Sequence, residues 1–592
     1  MTQLSIRHRL KPALMACVAG LAFVAAPALG QEASARPQVD PNRLLEIMVR
    51  RGLVSREEAD AMIAEAVAAA PQQAQALPPV PPGGVGADGV QTIPYVPDVV
   101  REQIVSQVRA ELGQQAQAEG WSRPGETPEW TRRITLSGDI RLRGEGAFFE
   151  EPIFDSGTGL QVGGNYPDFP NFAAINSGSG FDVAQGSPGY VNPPYLNTTE
   201  DRRRARIRAR LGIGIRIDEG ISAELRLATG NDSSPVSTNQ TLGSDGEFGK
   251  YALWVDRANI RFALPGGTSA LFGRFGNPFW TSEVLFDEDL NFDGVAVSGR
   301  GAIANGFSLF GTIGAFPIFN TDFNFGSRDA GAFSSKDRWL AAAQAGIEYR
   351  PNDDVSARLA VGIFHFDRVQ GELSSPCSFL QDVCDTDAMR PAFQQFGNSL
   401  FPLRNIIPDP NAAPGTSPEV QYFGLASEFD VLSVRGAVDL NLFDPVGVRL
   451  EGDFVRNLSF ERSLVAARAI NPSSFGDGGE FDGGDTGWQA RLTIGHFGLA
   501  QLGPGIGAGW TADPGDWSVN LAYRRVASDA VLDAFTDSDL GLGGTNVRGW
   551  VIGGNYAFGR NTAIGARWLS SQEVSGPPLS IDRLFLDLTT RF

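Results

Sequence analysis

The strongest chemical signal in the chain is a run of guanidinium groups spaced two residues apart. Residues 202–217 read RRRARIRARLGIGIRI, with Arg204, Arg206, Arg208 and Arg210 on one parity. Ala205, Ile207, Ala209, Leu211, Ile213, Ile215 and Ile217 occupy the other. A strand sends successive side chains to opposite faces. One face is then continuous hydrocarbon and the other is guanidinium or bare glycine. Two residues of strand rise put the arginines ~6.6 Å apart, close enough to hand an anion along. The plainer alternative is that they pair with loop carboxylates and only set the width of a lumen.

Covalent and metal chemistry are poorly supplied. Three histidines and three cysteines leave almost no material for a multi-histidine centre or a Cys/His zinc cluster. No cofactor is expected. His365 and His496 share the apolar parity of their strands near strand ends, which does not suit a general base in a hydrolytic triad. An enzyme is therefore not expected. Acidic residues outnumber basic ones 68 to 49, a net charge of −19, which argues against a nucleic-acid partner. Cys377 and Cys384 lie in a polar stretch and are expected to pair in an oxidising compartment.

Elements that could position these side chains are strands. The counts of 71 Gly and 39 Phe suit many strands, tight turns and aromatic bands rather than helices. The alternation recurs: Ile134, Leu136, Ile140 and Leu142 oppose Asp139, Arg141 and Arg143, and Val448, Leu450 and Phe454 oppose Arg449, Glu451 and Asp453. A dry sandwich core would not tolerate so many unpaired inward charges. A water-lined face would. The fold class predicted is all-β: a transmembrane antiparallel barrel with the apolar face on lipid and the charged face on an aqueous lumen.

Sixteen strands are predicted, at 133–145, 202–217, 221–229, 252–264, 268–275, 290–300, 306–315, 338–350, 355–367, 432–443, 446–457, 486–497, 516–526, 547–558, 562–571 and 580–592. Short turns such as Asp218-Glu219-Gly220 and Gly559-Arg560-Asn561 alternate with long Gly/Pro/Asn/Asp-rich loops, the pattern of a barrel with one turn side and one loop side. Residues 498–515 fall where a short turn is expected, and 368–431 has room for another hairpin, so the count is open there by two. Parity predicts an inward basic set of Arg141, Arg143, Arg204, Arg206, Arg208, Arg210, Arg216, Arg226, Arg257, Arg261, Arg274, Arg358, Arg435, Arg449, Arg491, Arg524 and Arg567. Fewer inward acids are expected, among them Asp139, Glu224, Glu348, Asp439, Glu451, Asp453 and Asp587, so a basic lumen is predicted.

Residues 1–30 read as an export signal: Arg7, Arg9 and Lys11, an apolar run from Ala13 to Ala26, and a small-residue site before Gln31. Removal leaves 46 basic against 68 acidic residues, a mature charge of about −22. Residues 31–132 read as a periplasmic helical arm with a Pro/Gly-rich linker. Ser55-Arg56-Glu57-Glu58 is a capping box, and a second helix is expected from Val99 to Leu112. Such an arm could join subunits, touch the cell wall or hang free. Residues 133–592 form the barrel domain.

The chain resembles Gram-negative outer-membrane porins, those usually labelled putative porins. The matching pieces are Leu271-Phe272-Gly273-Arg274-Phe275-Gly276-Asn277-Pro278-Phe279-Trp280 and Asp287-Glu288-Asp289-Leu290-Asn291-Phe292-Asp293-Gly294-Val295, with the arm at 42–70. The resemblance implies a passive water-filled channel in outer-membrane lipid, often a homotrimer, that diffuses small hydrophilic solutes. It implies that the third loop, carrying Glu283, Asp287, Glu288 and Asp289, folds inward opposite the arginine wall. The final strand, ending in Phe592, resembles the signal read by the outer-membrane assembly machinery. An anion- or phosphate-selective channel and a tether between outer membrane and cell wall are the competing readings.

Overall fold

Period-two patterning produces the expected strands. The computed structural model describes residues 129–592 except 189, 245, 322–334, 476–478 and 501–509. The export signal and helical arm predicted within 1–128 lie outside the described residues. The spanning strands are β1 (Ile134–Phe149), β2 (Arg202–Asp218), β3 (Ile221–Ala228), β4 (Trp254–Leu264), β5 (Thr268–Gly276), β6 (Asn291–Ala304), β7 (Phe307–Phe319) and β8 (Arg338–Tyr349). They continue as β9 (Val355–Asp367), β10 (Phe429–Phe443), β11 (Val446–Asn457), β12 (Thr486–Gly495), β13 (Trp517–Val526), β14 (Val547–Gly559), β15 (Thr562–Glu573) and β16 (Ser580–Arg591).

Each strand pairs antiparallel with its neighbours in sequence, and β1 pairs with both β2 and β16, so the sheet closes. A two-residue strand, Gln240–Thr241, adds to the edge of β2. Among the described residues neither uncertain stretch adds a spanning strand. Residues 368–428 hold only two- and three-residue pairings, and the connection after β12 starts with a short helix, Phe497–Ala500. The barrel therefore has sixteen strands.

The outer face is apolar. Leu136, Ile140 and Leu142 on β1, Leu359, Val361 and Ile363 on β9, and Leu586 and Leu588 on β16 are all exposed. Trp488, Trp550 and Trp568 stand toward the long-loop end of this face, and Trp517, Tyr556 and Phe558 toward the short-turn end. Two aromatic belts around an apolar band are how a barrel meets the two interfaces of a bilayer.

Inside, the long-loop half is filled. Phe275, Phe316 and Phe364 from the wall share one buried apolar cluster with Val284, Leu285 and Phe286, with Leu400 and Phe423, and with Ala530, Val531 and Leu532 from three different loops. Cys377 and Cys384 are joined in the 368–428 loop. Mass spectrometry without reductant is expected to find no alkylatable thiol at either position. Removing so small a ring should cost roughly 2–3 kcal/mol, confined to the loop.

The closing seam is zipped by charge and by ring packing. Arg143 Nε donates to Asp587 Oδ1 at 2.7 Å and Nη2 to Oδ2 at 3.0 Å across β1 and β16. Phe592 N donates to Gly138 O at 3.0 Å, and Gly138 N to Phe592 O at 3.1 Å. The Phe592 ring lies where a Cβ on Gly138 would stand, 2.5 Å from the ring Cζ. Phe592→Ser is expected to lower the yield of folded barrel several-fold, read as the fraction that shifts on a gel between unheated and boiled samples.

Candidate functional site

The loop after β5 is held inside the barrel by its own first residues. Asn277 Oδ1 accepts from Phe279 N at 2.9 Å, and Asn277 Nδ2 donates to Thr281 Oγ1 at 2.8 Å, an Asx turn. Gln344 on β8 clamps Trp280 at both ends of its peptide: Oε1 accepts from Trp280 N at 2.8 Å and Nε2 donates to Trp280 O at 3.0 Å. Thr312 Oγ1 donates to Pro278 O at 3.2 Å. The Phe279 ring packs edge-on against Phe292, Phe316 and Phe364. Phe279 is thus the anchor, and Trp280 is turned toward the lumen.

A second loop, 527–546, is stitched to the first. Asp287 N donates to Phe535 O at 2.8 Å and Asp537 N to Glu283 O at 3.1 Å. Ser538 N donates to Asp287 Oδ2 at 3.0 Å. The same loop is tied to residues 395–399: Asn398 Nδ2 donates to Ser528 O and Val531 O, and Ser399 N and Oγ donate to Asp529.

All four predicted loop acids stand inside the barrel. Glu283 bridges Arg491 and Arg524, the latter at 2.7 Å. Burial alone would raise its pKa, but the charges of Arg491 and Arg524 prevail and hold it at about 2. Asp289 faces Arg210 at 3.3 Å and Arg208 at 3.7 Å. There too the guanidiniums overcome burial and hold the carboxyl well below its usual range. Among the described residues Asp287 meets no arginine in an ion pair. Burial, then the charges of Asp289 and Asp537, push its carboxyl up toward the neutral form. Glu288 projects into open lumen.

Below these loops lies a cavity of about 670 Å³. Nine arginines border it: Arg141, Arg143, Arg300, Arg350, Arg358, Arg435, Arg449, Arg491 and Arg567. Nine carboxylates do too: Glu283, Asp287, Glu288, Asp289, Glu348, Asp439, Glu451, Asp537 and Asp539. By formal charge the cavity is balanced, where parity predicted a basic lumen. The acids that parity does not read come from loops, four from 277–290 and Asp537 and Asp539 from 527–546, and the wall arginines are paired. Arg435 binds Glu451 at 2.7 Å, Arg449 binds Asp439 at 2.5 Å, and Arg567 binds Asp539 at 2.9 Å.

The arginine ladder points inward but does not border this cavity. Arg208 and Arg210 share Asp139, at 3.0 and 2.7 Å, and Arg204 binds Glu145 at 2.7 Å. Arg206 Nη2 donates to Asn239 O at 3.2 Å, and segment 237–241 lies over the ladder. Arg524 is buried under the loops with Glu283 and Asp537. Arg257 and Arg261 also lie away from the cavity; Arg257 donates to Asn291 Oδ1 at 2.9 Å and Arg261 to Ser269 Oγ at 3.3 Å.

Arg274 departs from its predicted face. It lies in register with Ala258 and Asp293, binds Asp293 at 2.6 Å, and shares the outer face with exposed Phe272 and Val295. The physical reason is the inner apolar core. Phe275 and Leu271 turn inward to pack with it, which leaves Arg274 outside. Asp256 was missed for a different reason. A register shift opposite Arg226 and Leu227 lets Asp256 and Arg257 both turn inward, and Asp256 binds Arg226 at 2.5 Å. Arg300, with the inward parity of Ala296 and Ser298, was readable but overlooked.

No curated protein matches the chain. Among solved structures it is similar to OprB of Pseudomonas putida, solved at high pH, at 10% identity and a TM-score of 0.37, covering 78% of this chain and 95% of that one. It is similar also to OmpF of Salmonella typhi in complex with daunomycin, at 9% identity and a TM-score of 0.34, covering 78% and 97%. The outer-membrane channel DcaP of Acinetobacter baumannii gives 11% identity and a TM-score of 0.34, covering 78% and 97%. Likenesses this distant carry no argument of their own. The family evidence comes from sequence: residues 40–592 match the model of the family described as "Putative porin", and the chain belongs to that family.

Proposed function

We propose that the protein is an outer-membrane porin that lets small hydrophilic solutes diffuse through a charged lumen. The observation that carries this reading is the internal cavity, framed by the inward loops and bordered by opposed arginines and carboxylates, inside a closed barrel with an apolar exterior. Arg300, Arg358, Arg435, Arg449 and Arg491 border the lumen from strands β6 to β12 beside Glu348, Asp439 and Glu451, and the loop acids meet the wall too, Glu283 at Arg491 and Asp539 at Arg567. A lumen lined by close charges of both signs favours small polar solutes over apolar ones.

Under this reading residues 1–30 direct export, residues 31–132 lie in the periplasm, and Phe592 serves recognition by the assembly machinery. Residues 133–592 would then function in outer-membrane lipid, as one unit of a homotrimer. The second reading, an anion-selective channel, has one observation in its favour. Among the described residues, Arg141 and Arg358 are the cavity arginines without an ion pair. Purified full-length protein in a planar bilayer is expected to give stepwise conductance in KCl. An electrically silent preparation of folded barrel would remove the porin reading.

A further inference from the structure

The cavity wall holds one charged group whose surroundings suit neither a structural ion pair nor open water. Arg358, on β9, is half-buried beside the lumen. Its guanidinium carbon lies 4.0 Å from the centroid of the Phe310 ring and 4.2 Å from that of Trp280. Its register partner is Glu348, but that carboxylate is taken by Arg300 at 2.7 Å and Arg350 at 3.4 Å. The Nε of Arg358 is buried without a hydrogen-bond partner. Arg141, the other cavity arginine without an ion pair among the described residues, differs: it is 2% exposed and already donates to Asn239 Oδ1 at 2.7 Å.

A guanidinium stacked on rings keeps its N–H edges in the plane of the stack, free to meet a planar acceptor with two oxygens. The rings that hold it are themselves fixed. The backbone of Trp280 is clamped by Gln344, its ring stands edge-on to Phe310 at 6.1 Å, and the Phe310 ring is seated over Gly346, where a Cβ would collide with it. Arg435 lies 4.9 Å from the Trp280 centroid and adds positive field while committed to Glu451. Such pre-ordering lowers the cost of binding, because little side-chain freedom is left to lose.

We propose that the corner formed by Trp280, Phe310 and Arg358 binds the carboxylate of small organic acids in transit. The oxygens accept from the Arg358 edge, and the carbon body rests against the aromatic rims. Chloride and inorganic phosphate can use the charge but not the rings. The inference rests on the porin reading and names a solute class for it.

The test uses full-length protein, with benzoate as the probe and phosphate as the comparison at matched ionic strength. Benzoate is expected to reduce KCl conductance at millimolar levels. Its half-blocking concentration is expected to rise tenfold or more in Arg358→Gln, and several-fold in Arg358→Lys, which keeps charge but loses the fork. Arg560→Gln, altering an exposed turn residue, should match wild type. Heat-shift on a gel confirms that each variant folds. Equal block by phosphate, or block unchanged in Arg358→Gln, would overturn the carboxylate site while leaving the porin reading intact. If wild type conducts nothing, the porin reading fails, and equilibrium dialysis of radiolabelled benzoate decides the site alone. Retention equal in wild type and Arg358→Gln would then overturn it, and retention lost in the variant would uphold it.

Discussion

Glu283→Gln is expected to loosen the inward loop, raise conductance and shift selectivity toward anions. The Glu283 carboxylate is the shared counter-charge of Arg491 and Arg524, whose side chains are 6% and 2% exposed. A neutral amide leaves Arg491 with only Glu451, at 4.0 Å, and Arg524 with Asp537. Removing one partner of a buried ion pair costs about 3–5 kcal/mol. Both arginines are on wall strands, whereas Glu283 lies on a loop anchored on either side by the buried Phe279 and Val284–Phe286 and able to shift between them. The segment around Glu283 should therefore shift locally and let water reach the arginines. Reversal potential across a tenfold KCl gradient and unitary conductance both report this. If neither changes, Glu283 does not latch the loop. The pH behaviour has a fixed sign. With the carboxyl held at about 2, its contribution is complete above its ordinary value near 4.5 and is lost only as pH falls through about 2. The wild-type latch should hold throughout the neutral and mildly acidic range.

Asp533 should act with the opposite sign. It is 2% exposed in the loop stitched to residues 395–399. Burial raises its carboxyl to about 7, with backbone amides near Asn398 lowering it and the neighbouring Asp529 charge raising it further. A group raised in the folded state gives its full stability below its ordinary value of 3.8, and loses it as pH rises through about 7. The span is worth at most about 4 kcal/mol at roughly 1.4 kcal/mol per pH unit. Amide hydrogen exchange in 527–546, corrected for its intrinsic pH dependence, is expected to show stronger protection at pH 5 than at pH 8. Asp533→Asn should flatten that difference. A wild-type loop equally protected at both pH values would contradict the role of Asp533.

The barrel was legible because each strand separates two solvents, and the separation is written as alternation. Strands 355–367 and 446–457 have the residue limits expected from parity alone. The site was less legible because its acids reach the lumen through loop contacts between distant segments. Nothing local in Asn398 announces that it will hold Ser528 and Val531, and nothing in Asp537 announces Arg524. Alternation also fails where the inner face is itself apolar. At β5 the residues that pack on the loop core, Leu271 and Phe275, look like lipid-facing residues, and Arg274 was placed on the wrong side as a result. The ladder of β2 shares one face, as alternation implies, but it pairs with carboxylates instead of bordering the cavity, and the segment that bonds Arg206 lies some thirty residues further on.

The Arg143–Asp587 fork joins residues 444 positions apart, and it bears on how wide the barrel is. When β16 meets β1, a slip of one residue would turn Asp587 into lipid and Leu586 or Leu588 into the lumen, so hydrophobicity forbids it. A slip of two keeps every side chain on its proper face, and hydrophobicity cannot see it. Yet such a slip changes the shear of the closed sheet, and with it strand tilt and diameter. It would set Arg143 opposite Phe585 or Thr589 instead of a carboxylate. The fork therefore proofreads what greasy surfaces cannot: it selects one closure among those of equal amphipathicity, and so fixes the bore before any solute arrives.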